Sequence, residues 1–113
     1  MGDRYLVLAG GLCGAAGVAL SAAAAHRGGG NLATAASFLL VHAPAFLALA
    51  QLEAGRLIRI GAFALLLGLV VFAGDLLFRE FFGTRLFPMA APSGGTLMVV
   101  GWLIIAASAF RRR

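Results

Sequence analysis

The chain has 113 residues, of which 62% are hydrophobic and only 12% are charged. Soluble domains devote about a quarter of their residues to charge, so this sequence cannot cover a water-facing surface of ordinary composition. It predicts an integral membrane protein in one transmembrane domain over residues 1–113.

The net charge of +5 raises the question of nucleic acid as a partner. All nine basic residues are arginines, and they lie at the ends of the apolar runs. That placement suits phosphate headgroups and membrane topology better than a groove for DNA. We therefore expect the lipid bilayer, and no nucleic acid, as the partner.

Four long apolar segments follow one another along the chain. A helix needs about 20 residues to cross the bilayer core of about 30 Å, and the apolar residues run continuously instead of alternating as a membrane barrel requires. The fold class predicted is an all-α, up-down-up-down four-helix membrane bundle, with spans at about 5–25, 32–52, 58–78 and 94–110.

The first span carries a stripe of small residues at steps of four, three and four: Gly10, Gly14, Gly17 and Ser21. Small residues on one helix face let a neighbouring backbone approach closely, so we expect this stripe to pack against another helix. Gly61, Gly68 and Gly74 predict a similar role on the third span. The alternative is that glycine is merely common in a chain that has 16 of them.

The first segment also has features of a signal peptide, with Arg4 before an apolar stretch and small residues near a possible cleavage point. We expect it to be retained as a span.

His42 lies near the middle of the second span, two residues before Pro44. A charged imidazole would be costly there, so we expect a neutral, hydrogen-bonded ring. Pro44 frees the carbonyl of Leu40, which offers one local acceptor. His42 then either fixes helix register through an interhelical hydrogen bond, or serves as a proton relay or ligand.

Asp75 is the only carboxylate within a predicted span, and Arg79 follows it at the i+4 position. That spacing predicts a partly hydrated Asp–Arg pair near the membrane interface; a proton-binding carboxylate is the alternative. His26 and Arg27 end the first span on the same side, which predicts a small polar cluster there.

The segment REFFGTRLFPMAAPSGG, residues 79–95, is predicted as a long aromatic loop in the membrane interface, with Arg79 and Arg85 reaching headgroups. A gating or substrate-binding loop is the sharper alternative.

Arginine is distributed unequally between the two predicted ends of the bundle. Six arginines lie with the termini (Arg4, Arg56, Arg59, Arg111, Arg112 and Arg113), against Arg27, Arg79 and Arg85 at the other end. The positive-inside rule then predicts cytoplasmic termini.

Five short motifs occur in an order and spacing that cover nearly the whole chain: GVALSAAAAH (17–26), FLLVH (38–42), FAGDLL (72–77), APSGG (91–95) and GW (101–102). With them the sequence resembles the YgdD/YwdK-like family of small inner-membrane proteins, known mainly as a domain of unknown function with a mitochondrial relative in animals. The resemblance implies four spans and supplies no activity. It carries over His26, His42, Gly74, Pro92, Gly94, Gly95, Gly101 and Trp102.

The sequence departs from the family pattern at four positions near its polar residues. Leu39 stands in place of Gln, Leu77 in place of Tyr, and Ala73 and Asp75 in place of two serines. Any polar network that the family shares is therefore expected to be rearranged here.

We find no nucleophile elbow, P-loop or dinucleotide motif, and too few His, Cys and carboxylate residues for a metal site. The sequence predicts a non-enzymatic accessory or structural membrane protein without a cofactor, packed with itself or with a larger complex; a heme with one His ligand is left open. The alternative is a small transporter or proton-conducting protein that uses His42, Asp75 and His26. If His42 is a structural pin, His42→Asn should retain much of the assembly.

Overall fold

The computed structural model describes residues 3–52 and 55–110, and it confirms the all-α fold. The helices are α1 (Arg4–Arg27), α2 (Gly30–Gln51), α3 (Arg56–Phe82) and α4 (Ala90–Ser108). All four are long and apolar enough to cross a membrane. Extensive packing joins helices that are consecutive in the chain: α1 with α2, α2 with α3, and α3 with α4.

The α1–α2 hairpin is closed at both ends by backbone features that the sequence encodes. Gly28 and Gly29 adopt φ values of 74° and 84°, which only glycine reaches without strain, and they reverse the chain. At the other end, the Asp3 carboxylate caps α1 by accepting the amide of Tyr5 at 2.9 Å. The Asp3 amide donates to the carbonyl of Ala50 at 2.9 Å, which ties the start of α1 to the end of α2.

The small-residue stripe of α1 faces α2. A Cβ added at Gly10 would lie 2.9 Å from the Ala43 carbonyl oxygen, and one at Gly17 would lie 2.7 Å from Leu40. Glycine at these two positions therefore permits the close approach of the helices. A Cβ at Gly14 would make only an ordinary contact, 3.6 Å from Ala43.

Ser21 does not extend the stripe, since it is exposed. The contacts of the stripe with α2 are those of Gly10 with Ala43 and Leu47 and of Gly17 with Leu40.

The α3–α4 pair approaches even more closely, at two glycine crossings seven residues apart. A Cβ added at Gly68 would lie 2.7 Å from the Gly94 carbonyl oxygen, and one at Gly101 would lie 2.9 Å from that of Gly61. Each glycine thus meets backbone that cannot move aside. Gly74 does not belong to this contact, because its nearest neighbour would be a Leu86 methyl group at 3.8 Å.

The core lies where α2 and α3 meet and continues under α4. Its fully buried side chains include Phe46 of α2 and Leu65 and Leu69 of α3. The outward faces carry exposed apolar side chains such as Leu12, Phe63 and Leu103, as expected for helices whose solvent is lipid.

The predicted long loop at residues 79–95 is wrong in extent. Helix α3 continues through Arg79 to Phe82, and α4 begins at Ala90, so the connection is only residues 83–89. Gly83 ends α3 in the left-handed conformation with φ 77°. Pro92 fits the first turn of α4 because the first amides of a helix have no intrahelical acceptor.

We call the end of the bundle that carries residues 28–29 and 83–89 the connection end. There the Arg27 guanidinium pairs with Glu80 at 3.2 Å and lies over the Phe81 ring, 5.1 Å from its centroid. Arg4, Arg56 and Arg59 belong to the opposite end, as predicted. Arg111, Arg112 and Arg113 lie outside the described residues.

Alanine substitutions at the neighbouring residues Gly94 and Gly95 should affect stability differently. We expect Gly94→Ala to lower the free energy of unfolding by about 1–3 kcal/mol, because the new methyl group overlaps the Gly68 carbonyl. Gly95→Ala meets no atom within 4 Å, and should be neutral or stabilise the helix by up to about 1 kcal/mol. Chemical unfolding in detergent micelles measures both; equal losses would contradict the glycine crossing.

Candidate functional site

The His42 ring is buried inside the bundle and makes a hydrogen bond within its own helix. Only 5% of the residue is exposed, and its Nδ1 lies 2.9 Å from the carbonyl oxygen of Phe38. The sequence offered the Leu40 carbonyl, freed by Pro44, as one local acceptor. The ring instead turns back one helical turn to Phe38, as a residue at i−4 allows.

The other ring nitrogen of His42 makes a bond to α4. The Trp102 indole N–H donates to His42 Nε2 over 3.2 Å. An indole N–H is only a donor, so Nε2 must be the acceptor and Nδ1 must carry the proton that goes to Phe38. Both nitrogens of the neutral ring are thereby satisfied in a single tautomer.

Aromatic rings surround the imidazole. The Phe38 ring is nearly parallel to it, with centroids 6.3 Å apart, and the Trp102 ring lies 5.7 Å away. The Phe46 ring, on the next turn of α2, has its centroid 6.3 Å from that of the imidazole. The polar contacts of the ring are thus confined to its two hydrogen bonds, with the Phe38 carbonyl and the Trp102 indole.

Asp75 holds the α3–α4 connection in place. One carboxylate oxygen accepts two bonds from Arg79, at 2.7 and 3.1 Å, and the other accepts the Leu86 amide at 2.7 Å. The predicted Asp–Arg pair is thus present; its exposed part is the Arg79 side chain, whereas the Asp75 carboxylate is fully buried. The reason is that the connection folds back over α3 and replaces water with its own amide.

The three polar residues of the transport alternative do not converge on one site. His26 is exposed near the end of α1, and it makes no side-chain hydrogen bond within the described part of the chain. The predicted polar cluster at that end is made by Arg27 and Glu80 instead.

An open groove of about 810 Å³ runs between α2, α3 and α4. His42 and Trp102 lie in its wall, and Arg79 and Arg85 line it near the connection end. Most of the remaining wall is apolar. Neither Asp75 nor His26 is among the residues that line it.

Within residues 3–52 and 55–110, every buried side-chain nitrogen or oxygen has a hydrogen-bond partner. The same residues contain no group of three His, Cys, Asp or Glu side chains placed to hold a metal ion.

The sequence identified His42 and Trp102 as candidate residues but did not predict that they are bonded, because residues 60 apart show no periodic pattern. The α3–α4 glycine crossings do have a pattern in the sequence: Gly61 and Gly68 are seven residues apart, and so are Gly94 and Gly101.

The family described as "Protein of unknown function (DUF423)" matches residues 13–95, a range that contains His42, Asp75 and most of the groove. The chain belongs to this family. The DUF423 chain is also 29% identical over 123 residues to a UPF0382 membrane protein of Haemophilus influenzae, a match that covers 100% of this chain and 98% of that protein. No solved structure matches it.

This DUF423 protein is therefore a multi-pass membrane protein of a family without a known function, and its helices contact the lipid bilayer.

The His42–Trp102 bond predicts energetic coupling between α2 and α4. His42→Phe and Trp102→Phe should each lower the free energy of unfolding, and the double variant should lose less than the sum. We expect a coupling energy of about 0.5–1.5 kcal/mol, as for interhelical hydrogen bonds in membrane proteins. The double-mutant cycle is measured by unfolding wild type, the two single variants and the double variant in mixed micelles. Additive losses of stability would contradict the bond.

The Asp75 contacts predict a residue-specific change in amide exchange. Asp75→Ala removes the acceptor of the Leu86 amide, so hydrogen exchange at Leu86 should rise by at least tenfold, corresponding to about 1.4 kcal/mol of lost protection. Ser108, whose hydroxyl bonds within the far end of α4, provides the control amide. Equal acceleration at both amides would indicate general loosening of the fold instead.

Proposed function

We propose that this DUF423 protein is a non-catalytic inner-membrane protein that acts as a structural or accessory component, assembled with itself or with a larger membrane complex. The observation that carries the proposal is that, in residues 3–52 and 55–110, the buried polar side-chain atoms all have partners inside the protein. His42 bonds to Phe38 and Trp102, and Asp75 bonds to Arg79 and the Leu86 amide.

The distribution of surface residues supports the assembly part of the proposal. Apolar side chains on α1, such as Leu8, Leu12 and Val18, form an exposed surface. Such a face contacts either lipid or another protein.

The proposal also includes the orientation and the family placement. In the sequence, the three arginines at 111–113 add to Arg4, Arg56 and Arg59 on the side of the termini, against three arginines on the other side, and this excess favours cytoplasmic termini by the positive-inside rule. The order of the five short motifs supports a place among the YgdD/YwdK-like inner-membrane proteins.

A transporter or proton conductor is the second candidate, favoured by the groove that reaches His42. It requires Nε2 of His42 to exchange a proton with the groove. That nitrogen is held by the Trp102 indole, so a relay must first break the bond.

Proton flux into liposomes separates the two candidates. We expect purified wild-type protein, reconstituted with a trapped pH-sensitive dye, to conduct no faster than protein-free liposomes. Trp102→Phe, which frees Nε2, should not conduct either. Wild-type flux that both His42→Asn and His42→Phe abolish, in variants that remain folded, would contradict the structural role.

Assembly is tested by mild extraction from native membrane. We expect the tagged protein in a homo-oligomer or with a partner in fixed ratio, measured by light scattering and quantitative mass spectrometry. An unrelated four-span protein of equal abundance is the control. Recovery as a lone monomer under all mild detergents would contradict the accessory role.

A further inference from the structure

The groove differs in character along its length. Its deeper part is walled by the aromatic rings of Phe38, Phe72 and Trp102 together with Met98 and Val99. Arg79 and Arg85 line it near the connection end. A volume of about 810 Å³ lies within the range of about 300–1,000 Å³ that is usual for ligand sites.

The charge at the connection end of the groove is positive. Arg79 is neutralised by Asp75 at 2.7 Å, and Glu80 is occupied by Arg27. Arg85 is exposed and has no carboxylate within salt-bridge distance in residues 3–52 and 55–110. Two arginines against the single carboxylate of Asp75 leave one net positive charge.

Gly95 helps to keep this space open. It lines the groove, and an added Cβ would meet no atom within 4 Å. Helix packing therefore does not require glycine at this position, unlike at Gly94 next to it.

We propose that the groove binds an anionic phospholipid of the surrounding bilayer, with its phosphate at Arg85 and Arg79 and an acyl chain along Phe72, Val99 and Trp102. An open, mostly apolar groove between membrane-spanning helices admits an acyl chain without desolvation of polar groups. A guanidinium at the level of the headgroups selects a negative headgroup. This inference goes beyond the proposed accessory role, and that role does not depend on it.

The charge complementarity also favours a lipid over a soluble anion. The rest of the wall is mostly apolar, and His42 and Trp102 in it are already bonded to each other. A small polar solute would leave most of the groove without favourable contacts. A phospholipid uses both parts at once.

Trp102 is the single tryptophan of the chain and lines the groove, so its fluorescence reports what occupies it. The protein is reconstituted in vesicles of phosphatidylcholine that contain either brominated phosphatidylglycerol or brominated phosphatidylcholine at equal mole fraction. Bromine on the acyl chain quenches an indole in contact with it. We expect the anionic lipid to bind about fivefold more tightly, which corresponds to one effective arginine contact at the membrane surface.

Two variants with matched controls locate the site. Arg85→Gln should abolish the preference for phosphatidylglycerol, whereas Arg59→Gln, which removes the same charge from the opposite end, should retain it. Gly95→Leu fills the groove and should weaken quenching by both lipids; Gly11→Leu adds the same side chain in open space on α1 and should not.

Four results would overturn the proposal: equal quenching by the two lipids in wild type, equal loss in Arg85→Gln and Arg59→Gln, full quenching in Gly95→Leu, or displacement of phosphatidylglycerol by millimolar inorganic phosphate. The last result would assign the arginines to a free anion. Raising the salt concentration with wild-type protein supplies a test without substitution, because the preference should fall as the arginine charge is screened.

Discussion

Hydrocarbon offers no hydrogen bonds, so each polar group that enters the membrane must find its partner within the protein. His42 meets this requirement with two bonds of opposite direction, to the Phe38 carbonyl and from the Trp102 indole. Asp75 meets it with Arg79 and the Leu86 amide. Each solution joins parts of the chain that packing alone leaves apart: the first links α2 to α4, and the second fixes the path of the α3–α4 connection.

The same solvent explains the glycines. Lipid tails are as apolar as leucine, so burial of leucine drives helices together only weakly, and close van der Waals contact becomes the main attraction. The crossings at Gly68 with Gly94 and at Gly61 with Gly101 bring α3 and α4 together backbone to backbone. In α1, Gly10 and Gly17 allow close contact with the larger residues Leu47 and Leu40 of α2.

The sequence could predict features that depend on neighbouring residues, but not those that depend on contacts between distant segments. Helix identity depends on runs of about 20 apolar residues, and the stripe at Gly10 and Gly17 depends on helical periodicity, so both are local patterns. The indole that donates to His42 and the amide that covers Asp75 depend on how distant segments dock. The extent of α3 was underestimated because charged and aromatic residues around Arg79 suggested a loop, although a helix in the interface tolerates them once Asp75 and Glu80 provide partners.

The His42–Trp102 bond also determines what the groove can offer. Because the imidazole and the indole satisfy each other, that part of the wall presents aromatic surface and no free donor or acceptor. The remaining cations lie near the connection end, where Arg85 is exposed. The His42–Trp102 hydrogen bond inside the bundle is therefore compatible with an amphipathic groove beside it. Because this bond and the one to the Phe38 carbonyl occupy the polar atoms of both side chains, the deep wall suits an acyl chain better than a proton or a soluble substrate.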